Sequence, residues 1–133
     1  MLTLQDSNKR IVERFNKNFI EDKDDSAYEA LVSASFIDHT SGPATPFDFI
    51  TKIFRPAFPD AKVVIHDLIA EGDKVVARKS YEGTHSGGFM GIPATGKFIK
   101  FMVIEIIQLR DGKYVDHWAL ADTVSLMQQL QSS

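Results

Sequence analysis

The residues best suited to chemistry lie near the end of the chain, between Asp111 and Asp122, in the stretch DGKYVDHWALAD. Asp111-Gly112 is a turn signal, and the run after it reads as a strand. Alternate residues of a strand share a face, so Trp118, Leu120 and Asp122 fall on one side and His117 on the other. A carboxylate beside a tryptophan at a strand end has the surroundings of a general acid/base. The same aspartate would equally serve as a structural cap for the segment that follows.

Glu105 is the next unusual residue, an acid inside the almost wholly apolar run Phe98 to Leu109. An ionised carboxylate there needs a partner, since burying it alone is costly. Two readings stand: a pocket carboxylate with a raised pKa, or the partner of a lysine or arginine such as Arg78 on the next strand, and the paired structural role is favoured. His39 closes a short strand and His85 stands at the mouth of the glycine-rich loop Gly87 to Gly96, both places where a sheet can present groups to a ligand. Phe89, Met90 and Ile92 in that loop suit a lid or wall over an apolar ligand, although a plain hairpin connection explains the loop as well. His66 reads as a structural residue in mid-strand.

Several chemistries find no support. No two of the four histidines have the i, i+4 spacing of a helical zinc motif, so no metal site is expected. The absence of cysteine rules out thiolate chemistry and disulfides. There is no nucleophile elbow of the Gly-x-Ser-x-Gly form, and the glycine-rich loop lacks the lysine-hydroxyl pair of a phosphate cradle. With 15 basic and 18 acidic residues mixed along the chain, for a net charge of −3, no nucleic-acid footprint forms. No segment has the roughly 20 apolar residues of a membrane span and no signal-peptide core opens the chain, which makes the cytoplasm the default location.

The elements that must position these residues follow from periodicity. One domain spanning residues 1–133 is expected from the length and a hydrophobic content of 44%. Ile11, Val12, Phe15 and Phe19 predict an amphipathic helix over 4–20. The charged run from Glu21 to Asp25 connects it to a short second helix begun by the capping box Ser26 and Glu29. A brief strand over 36–39 leads to a polar loop from Thr40 to Ala44. Thr45-Pro46 then starts a third helix that should be finished by Pro56 to Pro59. Beyond Asp60, β-branched and aromatic residues predict four successive strands, about 61–70, 74–84, 98–109 and the strand after Asp111-Gly112. Residues 123–131 suit a short terminal helix or a frayed tail. Phe98 to Leu109 is apolar on both faces, so one face is expected to meet helices and the other a second copy of the chain.

Taken together, Ala57-Phe58-Pro59-Asp60, Ala70-Glu71-Gly72-Asp73 with Val75, GTHSGGFMGIPATGK over 83–97, Asp111-Gly112-Lys113, His117-Trp118 and Asp122 resemble the SnoaL-like polyketide cyclases, or ester cyclases, of the nuclear-transport-factor-2-like superfamily. The resemblance covers nearly the whole chain. It implies an α+β fold in which a curved, cone-like antiparallel sheet wraps around about three N-terminal helices and encloses an apolar pocket, in a homodimer paired through the sheet. It also implies a cofactor-independent, metal-free intramolecular aldol closure of a small apolar polyketide-like carbonyl compound, with Asp122 as general acid/base. His39 and His85 would then steady the developing enolate, and Trp118 would desolvate the acid. The same superfamily hosts ketosteroid-type isomerases, dehydratases, epoxide hydrolases and binding proteins without chemistry, so a catalytically silent ligand-binding dimer is the competing expectation.

Overall fold

A computed structural model describes residues 2–40 and 45–132. The chain opens with helix α1 (Leu4–Arg14), capped by Thr3, whose hydroxyl accepts from the Asp6 N–H at 3.1 Å. It runs on without a break as the wider π-helical segment π1 (Phe15–Glu21), closed by the Asp22 N–H donating to Lys17 O at 2.9 Å, an i→i−5 bond. The buried stripe Val12, Phe15 and Phe19 is the one that the periodicity predicts.

Helix α2 (Asp25–Leu31) takes Asp24 as its N-cap, with the carboxylate accepting from the Ser26 N–H at 3.1 Å. The expected start at Ser26 is therefore corrected to a point inside the charged run, because Asp24 is an equally good cap placed earlier. Asp25 in turn meets Arg55 at 2.6 Å. Strand β1 (Val32–Asp38) is longer than the brief strand expected and begins as soon as α2 ends. Residues 41–44 of the expected polar loop lie outside the described residues.

Thr45 caps the next helix, its hydroxyl accepting from the Asp48 N–H at 3.1 Å. Three segments, α3 (Pro46–Asp48), π2 (Phe49–Phe54) and α4 (Arg55–Ala57), follow in one continuous helical run. It ends at Ala57, with Pro56 within its last segment.

The strands β2 (Lys62–Glu71), β3 (Lys74–Thr84), β4 (Phe98–Arg110) and β5 (Lys113–Ala121) form the predicted antiparallel meander. Asp111 and Gly112 join the last two with φ of 52° and 75°, the paired positive values of a type I′ turn. Strand β1 adds itself parallel to β5, giving the order β1-β5-β4-β3-β2. The curved sheet and its helices form the α+β architecture expected, with Val12, Phe19, Phe54 and Phe58 packed over Val75, Ile99 and Ile107. Helix α5 (Thr123–Gln131) lies against β4, where the Gln129 amide both accepts from the Lys100 N–H at 3.0 Å and donates to its carbonyl at 2.7 Å. Among the described residues, no helix is long and apolar enough to cross a membrane.

Strand β4 alternates strictly. Ile99, Phe101, Val103, Glu105, Ile107 and Leu109 turn inward, while Phe98 and Ile104 stay 68% and 50% exposed on the outer face. The glycine-rich loop after β3 is pinned to the end of α4, where the Ser86 and Gly87 N–H groups donate to Ala57 O at 2.9 and 3.2 Å.

A Cβ on Gly87 would stand 2.3 Å from the backbone oxygen of Pro56, whereas one on Gly88 would meet nothing closer than 3.7 Å. Gly87→Ala should therefore destabilise the fold by about 2 kcal/mol through overpacking against backbone that cannot yield. Gly88→Ala should stay within about 0.5 kcal/mol in urea denaturation. Equal effects would show that the loop does not depend on this approach.

Candidate active site

The inward position of Glu105 organises a line of polar side chains across the strands. Ala77 pairs with Glu105 on β3, so Lys79, two residues along, shares its face and lies diagonally beside it. On the other flank Ala119 pairs with Glu105, and His117 is the diagonal neighbour on β5. Next in order, β1 sets Asp38 directly beside His117. Four ionisable groups from four adjacent strands thus meet on the inner face of the sheet.

Their contacts are direct. The Lys79 ammonium forms an ion pair with the Glu105 carboxylate. His117 stands 3.3 Å from Glu105 through Nε2 and 3.3 Å from Asp38 through Nδ1. The Thr40 N–H donates to Asp38 Oδ1 at 3.0 Å. On the helix side, Lys79 Nζ donates to Asn16 Oδ1 at 2.6 Å, and Asn16 Nδ2 donates to Val12 O at 2.9 Å. Lys79 and Glu105 are each only 2% exposed.

Burial and pairing pull these groups in opposite directions, and pairing wins. Burial pushes the Glu105 carboxyl up, but the Lys79 ammonium and His117 hold it down at about 2. Burial likewise lowers the His117 imidazole, yet its contacts with Asp38 and Glu105 raise it to about 9, so the resting ring is an imidazolium at neutral pH. Lys79 is driven down by burial and raised above its ordinary value by Glu105. Burial pushes the Tyr81 and Tyr114 phenols upward, which keeps both uncharged at neutral pH.

This line forms one wall of a cavity of about 620 Å³. The other walls are apolar, with Phe15 and Ile20 from π1, Ile50 and Phe54 from π2, and Phe89 and Met90 from the glycine-rich loop. A β-bulge shapes the polar wall. Gln108 pairs with Asp116 and Leu109 with Tyr114, which leaves Val115 as the extra residue and lets Tyr114 line the cavity together with His117, Ala119 and Ala121.

Of the residues expected from the sequence to wall a ligand, Phe89 and Met90 line this cavity. Ile92 instead pairs with Phe89 across the Met90-Gly91 turn. Asp122 lies outside the lining, between two residues that belong to it, Ala121 and Thr123. It is exposed and caps α5, its carboxylate accepting from the Ser125 N–H at 3.0 Å. Trp118 faces outward, stacked on His39 at 4.7 Å, and His39 bonds Asp116 at 2.8 Å. His85 is fully buried at the root of the glycine-rich loop, where its Nδ1 accepts from the Thr95 N–H at 3.2 Å. Asp122, His39 and His85 are therefore not brought together.

The alternation of β5 is as predicted, with His117 opposite in sense to Trp118, but the cavity lies on the histidine's side. Glu105 has the paired role favoured for it, with Lys79 as partner, while Arg78 turns out to meet Asp67 at 2.6 Å. Asp38, Lys79 and Asn16 were missed. Lys79 was detectable as a cation two residues along from the position opposite Glu105, whereas Asp38 needed the parallel β1–β5 pairing, which leaves no local signal. Among the described residues, no group of three metal-ligating side chains is placed to hold an ion.

The family model of the SnoaL-like polyketide cyclases matches residues 10–130 of the chain. The aklanonic acid methyl ester cyclase DnrD of Streptomyces peucetius is 26% identical over 133 residues, covering 98% of this chain and 92% of the relative. The structure is similar to that of a protein of Bacillus cereus ATCC 10987 assigned as a polyketide cyclase, at 31% identity and a TM-score of 0.80, over 97% of this chain and 85% of the other. It is also similar to TsrD of Streptomyces laurentii, at 26% identity and a TM-score of 0.84, over 96% of each chain. The nuclear-transport-factor-2-like fold expected from the sequence is the fold found.

The charged line makes stability depend on pH in a defined way. Glu105 is depressed below its ordinary 4.5, so its contribution is present above that value and is lost as pH falls towards about 2. His117 is raised, so its contribution is complete below 6.5 and is lost as pH rises through about 9. Urea denaturation should therefore show stability declining between these two upper values, and His117→Gln should remove most of that decline. An unchanged decline in the variant would contradict the pairing.

Proposed function

The chain belongs to the SnoaL-like polyketide cyclase family, and we propose that it is a cyclase-type enzyme that closes a carbon ring within an apolar carbonyl substrate, with Asp38 and His117 moving the protons. The observation that carries this reading is the Asp38–His117 pair on the polar wall of a cavity whose facing walls are apolar and which is large enough for a compound of several fused rings. The name of the Streptomyces peucetius relative favours a polyketide ester as the substrate class.

In the proposed reaction the substrate lies against the aromatic walls with its carbonyl oxygen towards His117. The imidazolium gives its proton to that oxygen while the Asp38 carboxylate takes a proton from the adjacent carbon, and the enol forms. The enol carbon attacks a second carbonyl of the same molecule, making the new carbon–carbon bond. Asp38 returns its proton to the resulting alkoxide, and His117 recovers its own as the first carbonyl re-forms. The product is an isomer of the substrate, and both side chains end as they began. The apolar walls exclude water and strengthen the attraction between the imidazolium and the developing negative oxygen. In this scheme the acid/base role considered for Asp122 passes to the aspartate inside the cavity, and Asp122 keeps its task as the cap of α5.

We also propose that two copies pair through the outer face of the sheet. Ile69, Val76, Ile106 and Trp118 occupy one rung across β2 to β5, and Ile104 and Leu120 flank it, with Leu120 79% exposed. Ile106→Asp should convert a dimer into a monomer in light scattering, and a wild-type chain already monomeric at micromolar concentration would refute the pairing.

The enzymatic reading is tested with aklanonic acid methyl ester as the first probe. Asp38→Asn and His117→Gln should each lower kcat by about 100-fold or more, and Asp122→Asn by no more than about 3-fold. Wild-type kcat should fall as pH rises through about 9, where the imidazolium loses its proton. Binding of the probe without turnover by the wild-type chain would identify a silent binding protein and overturn the proposal.

A further inference from the structure

His117 has carboxylates on both sides, and two full counter-ions would bind its proton too tightly for it to be given to a substrate. The second carboxylate, however, is shared. Lys79 reaches Glu105 from β3, and Asn16 in turn holds the ammonium, with its own amide tied to the backbone carbonyl of Val12. Asn16 is 1% exposed, so its carbonyl oxygen has no water to compete for Lys79. We propose that Asn16 and Lys79 are positioning residues that engage the Glu105 carboxylate, weaken its pull on His117, and thereby keep the imidazolium able to release its proton.

This inference rests on the acid role proposed for His117. The geometry gives it a direction. The four charges sum to zero, two cations alternating with two anions along the line, and removing Lys79 leaves the imidazolium with two anions and a net negative charge in a buried site. The other titratable groups facing the line are the phenols Tyr28 from α2, Tyr81 from β3 and Tyr114 from β5, each raised chiefly by burial and so uncharged at neutral pH. None of them replaces the ammonium. The Lys79 ammonium also lies 4.9 Å from the centre of the Tyr81 ring, which adds a second contact holding it towards Glu105.

The experiment is an NMR titration of the full-length chain without substrate, following the Glu105 carboxyl carbon and the His117 ring, in parallel with kinetics on aklanonic acid methyl ester. In Lys79→Met the Glu105 carboxyl should titrate at about 5 or above, and the His117 ring at about 10. The alkaline fall in kcat should move upward with the ring, and kcat at neutral pH should drop about 10-fold with KM nearly unchanged. Lys79→Arg, which keeps the charge, should restore both midpoints. Should Lys79→Met fail to fold, Asn16→Leu is titrated in its place and should move both groups in the same direction by less. A His117 midpoint at or below the wild-type value in the variant that folds would overturn the inference. The titration needs no turnover, so failure of the cyclase reading would appear in the kinetics alone.

Discussion

A carboxylate on the core face of a central strand is the constraint to which the rest of this molecule answers. Glu105 takes a position that alternation reserves for an apolar side chain, between Val103 and Ile107. Left alone it would bind a proton or pull the strand open, because the desolvation of an isolated anion exceeds anything that packing offers in return. The sheet answers with Lys79 on one side and His117 on the other, and each answer creates a further requirement. The lysine needs an acceptor, which Asn16 supplies, and the imidazolium needs a second anion, which Asp38 supplies. A structural demand thus propagates across four strands and into a helix, and ends on the wall of a cavity.

Much of the fold was legible because it rests on local periodicity. The meander, its I′ turn at Asp111-Gly112 and the helix face of Val12, Phe15 and Phe19 are written in alternation and spacing. Helix starts were less secure, since Asp24 and Ser26 are both good caps and only packing chooses between them. The extent of β1 was hidden for another reason. Val32–Asp38 is stabilised as a strand by its parallel partner β5, a pairing that no neighbouring residue announces.

The site was legible only in part, and the reason is geometrical. Alternation separated His117 from Trp118 correctly, but it states relative facing, and nothing local says which face a curved sheet will close upon. Trp118 looked like the wall of a pocket, whereas it stacks on His39 beneath the Lys74 ammonium on the outer face. Tyr114 would have been placed opposite His117 by simple counting, and the bulge at Val115 reverses that. Glu105 was the clearest signal, an acid where none should be, and following its strand neighbours leads to Lys79 and His117, though not to Asp38.

The parallel docking of β1 also brings together parts of the chain that lie far apart in sequence. Lys79, Glu105 and His117 come from consecutive strands of the meander, so their contacts are local in the chain compared with those of β1. Asp38 arrives from a distant part of the chain, and Asn16 from farther still. The strand that delivers the last carboxylate of the line is also the one that covers the free edge of β5, so the polar wall and the protection of that edge depend on the same non-local contact.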